Sequence, residues 1–473
     1  MKNIVLILLA ATFSAFAEAP KPAHPNIILM MADDLGWGDV QCFNSKSPIK
    51  TPSLDAMAAA GMQFNRFYAS SPVCSPTRGS TLTGRHPYRY GIPYANNGHM
   101  KTEELTLAEL LKTQGYVTGH FGKWHLGTLT TEIKDANRGA PGNTKDFSPP
   151  WKNGFDICFS TESKVPTWDP MLKPGKNDGW HSPKNGWDPI KDRSTGKAYG
   201  THYWNEKGEV VRDNLEGDDS RIIMDRVVPF VKNAAESKTP FFAIVWFHTP
   251  HLPVVAGPKH SAMYPGVSDF ERNYYGCVTA MDDQIGRLRA SLKKAGVAEN
   301  TMVWFCSDNG PEGNAKSPGS AAHFKGRKRS LNEGGVRVPG ILDWPAHVKS
   351  GTVTDFPSVT SDYLPTILDA VQVEYSGKRP LDGISLLPVI SGEKKKRTKA
   401  IGFESKNLLA WSTQHYKLFS KNKGKTWELY DLIADPSEKN DLAARHPEIV
   451  KRLSKDLIAW RKSCVQSSQG KDY

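Results

Sequence analysis

Almost wholly apolar segments alternate with amphipathic ones along this chain, and this alternation restricts the fold more than any other feature. Residues 26–31, 241–247 and 301–306 are nearly continuous apolar runs, and residues 116–121 form a shorter run of the same kind. Strands that are apolar on both faces are typical of parallel sheets covered by helices. The pattern therefore predicts an α/β fold, with a large and mostly parallel sheet sandwiched by helices.

Helical patterns fill the spaces between these runs, and two regions depart from the alternation. Helices are predicted at 51–61, 105–114, 220–235 and 274–295. Residues 128–217 are rich in Gly, Pro, Asn, Lys and Trp and show little periodicity. Their tryptophans either stack on sugar rings or anchor an irregular loop. From about residue 385, short strands at 399–404 and 408–413 precede a helix at 447–462, which indicates a small C-terminal α+β domain over 385–473.

The first residues have the layout of a secretory signal. Lys2 precedes an apolar run over 4–9, and Ala15-Phe16-Ala17 fits a cleavage site, although a buried N-terminal strand is the alternative. We expect a signal peptide over 1–17, cleavage after Ala17, a catalytic domain over 18–384 and a secreted or periplasmic protein. No other stretch is apolar enough to cross a membrane, so no membrane anchor is expected.

Charge and cysteine content narrow the function classes. The formal net charge of +12 becomes +11 without Lys2, which suggests an anionic partner. Nucleic acid has no support beyond that charge, because the only dense basic run is 394–397, so a polyanionic substrate is favoured. The six cysteines include no C-x-x-C pair and no disulfide framework.

Polar clusters follow the predicted strands where each strand ends. Because ligands bind beyond the carboxyl ends of strands in such sheets, these clusters are expected to converge at one edge. Four of the side chains offer only oxygen donors, which suit Ca²⁺ or Mg²⁺ better than Zn²⁺. The residues of these clusters are Asp33, Asp34, Lys123, His125, His251, Asp308 and Asn309.

A metal ringed by cations describes a site for a phosphate or sulfate ester. Arg78, Lys123 and Lys328 would supply the cations. Cys74 lies in a loop before a helix expected from about residue 77, whose N-terminus favours an anion. A thiolate matches a hard metal poorly, which leaves the role of this cysteine open.

Several motifs together resemble the type I sulfatase family, over nearly the whole chain after residue 17. The signature CSPTR at 74–78 is followed by LTGR, and NIILMMADDLGWGD, GKWHLG and SDNGP match the family's metal and Lys/His motifs. HTPHLPV, EGGVRVPGILDWP and WELYDLIADPSEKNDL are also typical. The resemblance implies the alkaline phosphatase-like fold, and the overall pattern looks closest to the arylsulfatase and N-acetylgalactosamine-sulfatase branch.

The resemblance also implies a chemistry. In this family, the motif cysteine is oxidised by a formylglycine-generating enzyme, and the hydrated aldehyde attacks sulfur while its second hydroxyl later allows sulfate to leave. A divalent cation, Ca²⁺ with Mg²⁺ as the alternative, would be held by Asp33, Asp34, Asp308, Asn309 and the modified Cys74. The implied catalytic residues are Cys74, Arg78, Lys123, His125, His251 and Lys328. His248 competes with His251 for its role, and Lys325 competes with Lys328.

We expect a secreted sulfatase that acts on a sulfated carbohydrate, either a polysaccharide or a glycosaminoglycan. One alternative is a phosphoesterase of the same fold, although that class uses Ser or Thr and a His-rich metal pair. Another is a carbohydrate-binding protein in which Cys74 is never oxidised. The sequence leaves open the sugar, the sulfate position, endo or exo action and the oligomeric state.

Overall fold

Ten strands form the central sheet of the protein, in a computed structural model that describes residues 24–176 and 179–472. The five middle strands are mutually parallel, and antiparallel or short strands extend the sheet on both sides. The predicted signal peptide over 1–17 lies outside the described residues. Across the sheet, the order is Val210–Val211, Tyr203–Trp204, Ile157–Thr161, Val117–Lys123, Phe241–Trp246, Asn26–Ala32, Thr301–Ser307, Gly340–Asp343, Met62–Phe64 and Thr352–Thr354.

The apolar runs are buried on both faces of this sheet. In the Asn26–Ala32 strand, Ile27 and Leu29 pack into one hydrophobic core, and Ile28 and Met30 pack into the other. Since side chains alternate between the faces of a strand, a strand between two cores must be apolar at nearly every position. This arrangement confirms the predicted α/β fold with a large, mostly parallel sheet.

Helices cover both faces. The helices Pro52–Ala60, Asp219–Glu236 and Asp269–Lys294 pack beside one core, and Leu107–Lys112 and Tyr363–Ala370 pack beside the other. The four helices predicted between the apolar runs are present, with ends that differ from the prediction by one to five residues. Shorter helical segments lie at Trp37–Asp39, Pro87–Tyr90, Pro150–Lys152, Arg193–Thr195, Pro258–Ser261, Glu333–Val336, Thr360–Asp362 and Leu387–Ile390.

The helix that carries Cys74 starts earlier than the sequence indicated. It spans Cys74–Thr83, so Cys74 is its first residue and not part of a preceding loop. Val73 is extended and ends the loop, and Pro76 lies in the first turn, where a missing N–H costs no hydrogen bond. Ser75 and Pro76 suit a loop as well as a first helical turn, so the sequence pattern alone predicts a start near residue 77.

The irregular segment over 128–217 contributes a parallel strand that the sequence did not indicate, Ile157–Thr161. Trp187 and Trp204 in this segment are buried, and Trp180 stacks against Phe270. These contacts favour the interpretation in which the tryptophans anchor the segment. Two of its short strands, Tyr203–Trp204 and Val210–Val211, extend the edge of the central sheet. The other four pair locally, Leu172–Lys173 with Lys197–Ala198 and His181–Ser182 with Gly186–Trp187.

A smaller antiparallel sheet follows, as the sequence indicated. Its four strands are Ile401–Ser405, Leu408–Ser412, Tyr416–Ser420 and Glu428–Asp431. The helix Pro447–Ser468 packs against it and extends beyond the predicted end at residue 462. A small three-stranded sheet joins Arg337–Val338, Phe67–Tyr68 and Ser358–Val359.

All six cysteines lie within the described ranges and are free thiols. In the same ranges, no helix combines the length and apolarity needed to span a bilayer.

Candidate active site

The carboxyl ends of the parallel strands bring the predicted oxygen donors together. Ala32 lies opposite Ser307 in neighbouring strands, so Asp33 and Asp308 leave the sheet side by side. The backbone N–H of Asp34 donates to Oδ1 of Asp308 at 3.0 Å, and Nδ2 of Asn309 donates to Oδ1 of Asp34 at 2.7 Å. All four side chains are buried.

Three buried cations surround these carboxylates. Arg78 donates to Oδ2 of Asp308 at 2.6 Å, and its guanidinium lies 3.6 Å from Asp33. Nζ of Lys123 lies 2.6 Å from Oδ2 of Asp33. Nζ of Lys328 lies 2.6 Å from both carboxylate oxygens of Asp34. Three aspartates therefore face three fixed cations.

The donor set fits a hard divalent cation. Oδ1 of Asp33 and Oδ1 of Asn309 are buried and accept no hydrogen bond from any residue that the structure describes. Burial, together with the charge of Asp33, raises the pKa of Asp308, whereas the nearby cations, Lys123 first, outweigh burial and hold the pKa of Asp33 well below its usual range. A divalent cation on the unpartnered oxygens would add positive charge beside both carboxylates. Asp33 and Asp308 also lie with Cys74 in a group whose candidate ligand atoms are within 4.8 Å of one another.

Cys74 lies at the floor of the same site and is 3% exposed. Burial raises the pKa of its thiol, and the lowering effect of Lys123 and Lys328 does not overcome this. The thiol is therefore protonated at neutral pH and is a poor nucleophile in this form.

His125 is held by an amide that the sequence did not single out. Its Nε2 lies 2.7 Å from Oδ1 of Asn96, and that oxygen also accepts from Nδ2 of Asn137 at 2.9 Å. An amide oxygen only accepts, so Nε2 of His125 carries the proton and Nδ1 is the free acceptor. Nδ1 is buried and has no partner among the described residues. Burial and Lys123 lower the pKa of His125 well below its ordinary value, which keeps the ring neutral.

The two histidines of HTPHLPV have different surroundings. His248 is fully buried between Asp219 at 2.8 Å and Thr161 at 2.7 Å. His251 faces the site, with Nε2 3.7 Å from Asp34 and Nδ1 2.7 Å from the carbonyl oxygen of Leu252. Burial lowers the pKa of His251 to about 4.

The two candidate lysines also differ in what they contact. Lys325 points to the C-terminal sheet, where its Nζ donates to the carbonyl oxygen of Glu438 at 3.1 Å and to Tyr430 at 3.3 Å. Only Lys328 of the pair contacts Asp34 among the described residues.

Five of the predicted residues line a pocket of about 260 Å³ that opens to solvent: Cys74, Lys123, His125, His251 and Lys328. A larger groove of about 640 Å³ lies between the Asp219–Glu236 helix and the edge of the sheet, but the predicted site residues do not line it. Sequence reasoning missed part of the pocket wall because the Ile157–Thr161 strand was not recognised. The wall residues that were not predicted are Val73, Tyr94, Ala95, Asn96, Asn137, Ser163, Lys164 and Arg329.

Comparison with known proteins agrees with this geometry. The profile of the sulfatase family matches residues 25–373, and a profile for the C-terminal part of N-sulphoglucosamine sulphohydrolase matches residues 322–463. N-acetylgalactosamine-6-sulfatase of Sus scrofa is 31% identical over 446 residues, which cover 90% of this chain and 76% of that protein. Arylsulfatase A of Homo sapiens is 31% identical over 454 residues, with 91% and 82% covered.

Solved structures show the same fold. The crystal structure of Ps i-CgsB in complex with k-i-k-neocarrahexaose superposes with a TM-score of 0.78 at 27% identity, and 94% of each chain is covered. A Bacteroides thetaiotaomicron structure, from work on the metabolism of multiple glycosaminoglycans, superposes with a TM-score of 0.73 at 25% identity. That match covers 93% of this chain and 100% of the other. Together with the family profile, these relatives establish that the chain belongs to the sulfatase family and is a sulfuric ester hydrolase.

Proposed function

We propose that the protein is an exported sulfatase that removes sulfate from a sulfated carbohydrate, using formylglycine made from Cys74 and a bound divalent cation, Ca²⁺ or alternatively Mg²⁺. One observation carries this proposal. A buried, protonated Cys74 lies with Asp33 and Asp308 in one group of candidate metal ligands within 4.8 Å of one another, beside fixed cations. This arrangement suits an oxidised residue 74 and a metal better than a thiolate nucleophile.

Asp33, Asp34, Asp308 and Asn309 would hold the divalent cation, which would supply positive charge beside residue 74. A formylglycine hydrate at position 74 would supply the attacking hydroxyl.

The chain's own cations hold the ester. Lys123 and Lys328 are oriented by Asp33 and Asp34 and would bind sulfate oxygens at the inner end of the pocket. Arg78 is fixed by Asp308 and keeps that carboxylate in place while adding positive charge next to residue 74.

The two histidines of the pocket would handle protons in separate steps. Nδ1 of His125 is the free acceptor and would take a proton from a hydroxyl at position 74. His251 would give a proton to the departing alcohol, but its lowered pKa keeps it neutral in the free pocket. The negative charge of a bound ester would raise that pKa, and Lys328 is a second donor at the same place.

The substrate class is inferred from the pocket and the relatives. The pocket volume of about 260 Å³ lies just below the range of roughly 300–1,000 Å³ that is usual for small-molecule sites. We infer that one sulfated sugar enters and the rest of the saccharide stays outside. The net charge of +12 and the relatives whose names include a sulfated amino sugar or a neocarrahexaose support a sulfated carbohydrate.

The direct test is a substrate panel. The chain is co-expressed with a formylglycine-generating enzyme, supplied with Ca²⁺ and incubated with sulfated saccharides and with phosphorylated counterparts. Released sulfate and phosphate are measured by ion chromatography, with Cys74→Ala in parallel. We expect sulfate release by the wild type alone. Release of phosphate without sulfate would favour the phosphoesterase alternative and contradict the proposal.

A further inference from the structure

Lys164 is a cation of the pocket wall that the mechanism above does not use. It comes three residues after the Ile157–Thr161 strand and lines the pocket together with Lys123 and Lys328. Those two lysines each lie 2.6 Å from an aspartate oxygen. Within the described ranges, Lys164 has no carboxylate within ion-pair distance of its Nζ.

The acids close to Lys164 in the chain or the pocket are already engaged. Glu162 is buried and accepts from Nε of Arg138 at 2.8 Å and from two backbone N–H groups. On the other side of the pocket, Glu312 binds Arg329 through two hydrogen bonds, of 2.6 and 2.9 Å. Lys164 is thus the cation of this wall whose charge no protein group offsets by direct contact among the described residues.

Its position differs from that of the sulfate-binding lysines. The side chain of Lys123 is fully buried and that of Lys328 is 5% exposed, whereas Lys164 is half-buried and lies nearer the mouth. The backbone of Lys164 is fixed, because Thr201 donates to its carbonyl oxygen at 3.2 Å and Val165 is buried.

The electrostatics of this position favour an incoming anion. Burial lowers the pKa of Lys164, and the positive charges of Lys123 and Lys328 lower it further, while the more distant Asp33 and Asp34 offset only part of this effect. The two sulfate-binding lysines are needed at the inner end of the pocket, so a single sulfate there would not offset the charge at the mouth. A second negative group near the mouth would offset it.

We propose that Lys164 forms a second anion subsite, which binds another negatively charged group on the same saccharide. The group is a second sulfate or the carboxylate of a uronic acid, on the sulfated sugar or its neighbour. The inference deepens the proposed function and rests on it, because that function places the first sulfate at Lys123 and Lys328. The substrate class becomes a saccharide with at least two anionic groups.

The test uses three related saccharides: one with a single sulfate, one with a second sulfate and one with a single sulfate plus a uronate. The wild type is compared with Lys164→Gln, Lys164→Arg and the control Lys184→Gln, which removes an exposed lysine. We measure kcat/KM for sulfate release by the matured enzyme. Binding of the same saccharides to the chain with unoxidised Cys74 is measured by calorimetry.

We expect Lys164→Gln to weaken binding and kcat/KM about tenfold for a doubly anionic saccharide, and to leave the monosulfated one within about twofold. Lys164→Arg should keep the preference, and Lys184→Gln should behave as the wild type. The doubly anionic saccharide whose binding and kcat/KM fall in Lys164→Gln shows whether the second group is a sulfate or a uronate.

Two results would overturn the subsite. One is a wild type without preference for either doubly anionic saccharide, and the other is an equal loss on all three saccharides in Lys164→Gln. Failure of the proposed function gives a different result, in which the matured wild type releases no sulfate from any saccharide. Calorimetry on the unoxidised chain would then still show whether Lys164 favours saccharides with a second anionic group.

Discussion

The carboxamide of Asn96 decides which nitrogen of His125 can accept a proton. Replacing it with Ala removes the acceptor at 2.7 Å and lets the ring take the other tautomer or turn. Because a positioned general base contributes about 10²–10⁴-fold, we expect kcat to fall at least about tenfold, with little change in KM. Steady-state kinetics of sulfate release by Asn96→Ala checks this.

A second variant tests the same contact through pH. The ring of His125 stays neutral because its pKa is lowered by burial and Lys123, so the rate should fall only when acid finally protonates it. Asn96→Asp places a negative charge beside Nε2 and raises that pKa. The acidic limb of the pH–rate profile should therefore move to higher pH. An unchanged acidic limb would show that His125 does not accept the proton.

We expect a divalent cation to stabilise the folded protein, because Oδ1 of Asp33 and Oδ1 of Asn309 are buried without a hydrogen-bond partner among the described residues. Ligand at 100 times its Kd stabilises the folded state by about 2.7 kcal/mol. Added Ca²⁺ should raise the melting temperature of the wild type, and a chelator should abolish sulfate release until Ca²⁺ is restored. Asp308→Ala should lose the shift in melting temperature. A shift of the same size in that variant would place the cation elsewhere.

At the scale of elements, the C-terminal sheet is tied to the catalytic part through Lys417. This buried side chain lies 3.0 Å from Glu333 and 3.1 Å from Glu438, and Tyr68 donates to Glu333 at 2.8 Å. Glu333 begins the short helix that follows the loop of Lys328. The small sheet therefore supports one wall of the active site.

Lys417→Met should destabilise the protein strongly, because it removes the cation 3.1 Å from the buried Glu438 and leaves the buried Glu333 with Arg337, at 3.4 Å. Breaking a buried ion pair costs about 3–5 kcal/mol. The control Lys421→Met removes an exposed lysine paired with Glu428 and should cost about 1 kcal/mol or less. Denaturation curves of the two variants compare them. Equal stability would show that the buried network does not hold the sheet in place.

The elements that sequence patterns predicted are those with the strongest periodicity. The apolar strands and the amphipathic helices around them could be recognised because two cores require those patterns. The Ile157–Thr161 strand was missed because it is short and lies among Gly- and Pro-rich loops. The helix start at Cys74 was missed because Ser and Pro suit both a loop and a first helical turn.

Because only strongly periodic elements can be recognised from the sequence, only part of the site could be predicted. Asp33, Asp34, Asp308 and Asn309 could be placed together because each follows a recognisable strand. Asn96 and Lys164 could not, since they come from segments whose position depends on tertiary contacts alone. His248 and His251 lie in the same motif and are distinguished only by their tertiary contacts, so the local sequence does not show which of them faces the site.

For the whole molecule, the net charge of +12 at pH 7 should speed the capture of polyanions. Salt screens such attraction over about 10 Å at 0.1 M ionic strength. We expect kcat/KM for a sulfated polysaccharide to fall about tenfold between low and high salt, with a smaller fall for a monosulfated monosaccharide. Equal falls for both substrates would mean that the overall charge does not steer the polymer.

The central claim is that sulfate release depends on an oxidised residue 74. The most direct measurement plots the rate of sulfate release against the fraction of residue 74 present as aldehyde, which peptide mass spectrometry gives for preparations matured to different extents. We predict a straight line through zero, with Cys74→Ser at the background rate. Sulfate release by the unoxidised chain or by Cys74→Ser at the rate of the matured enzyme would contradict the account.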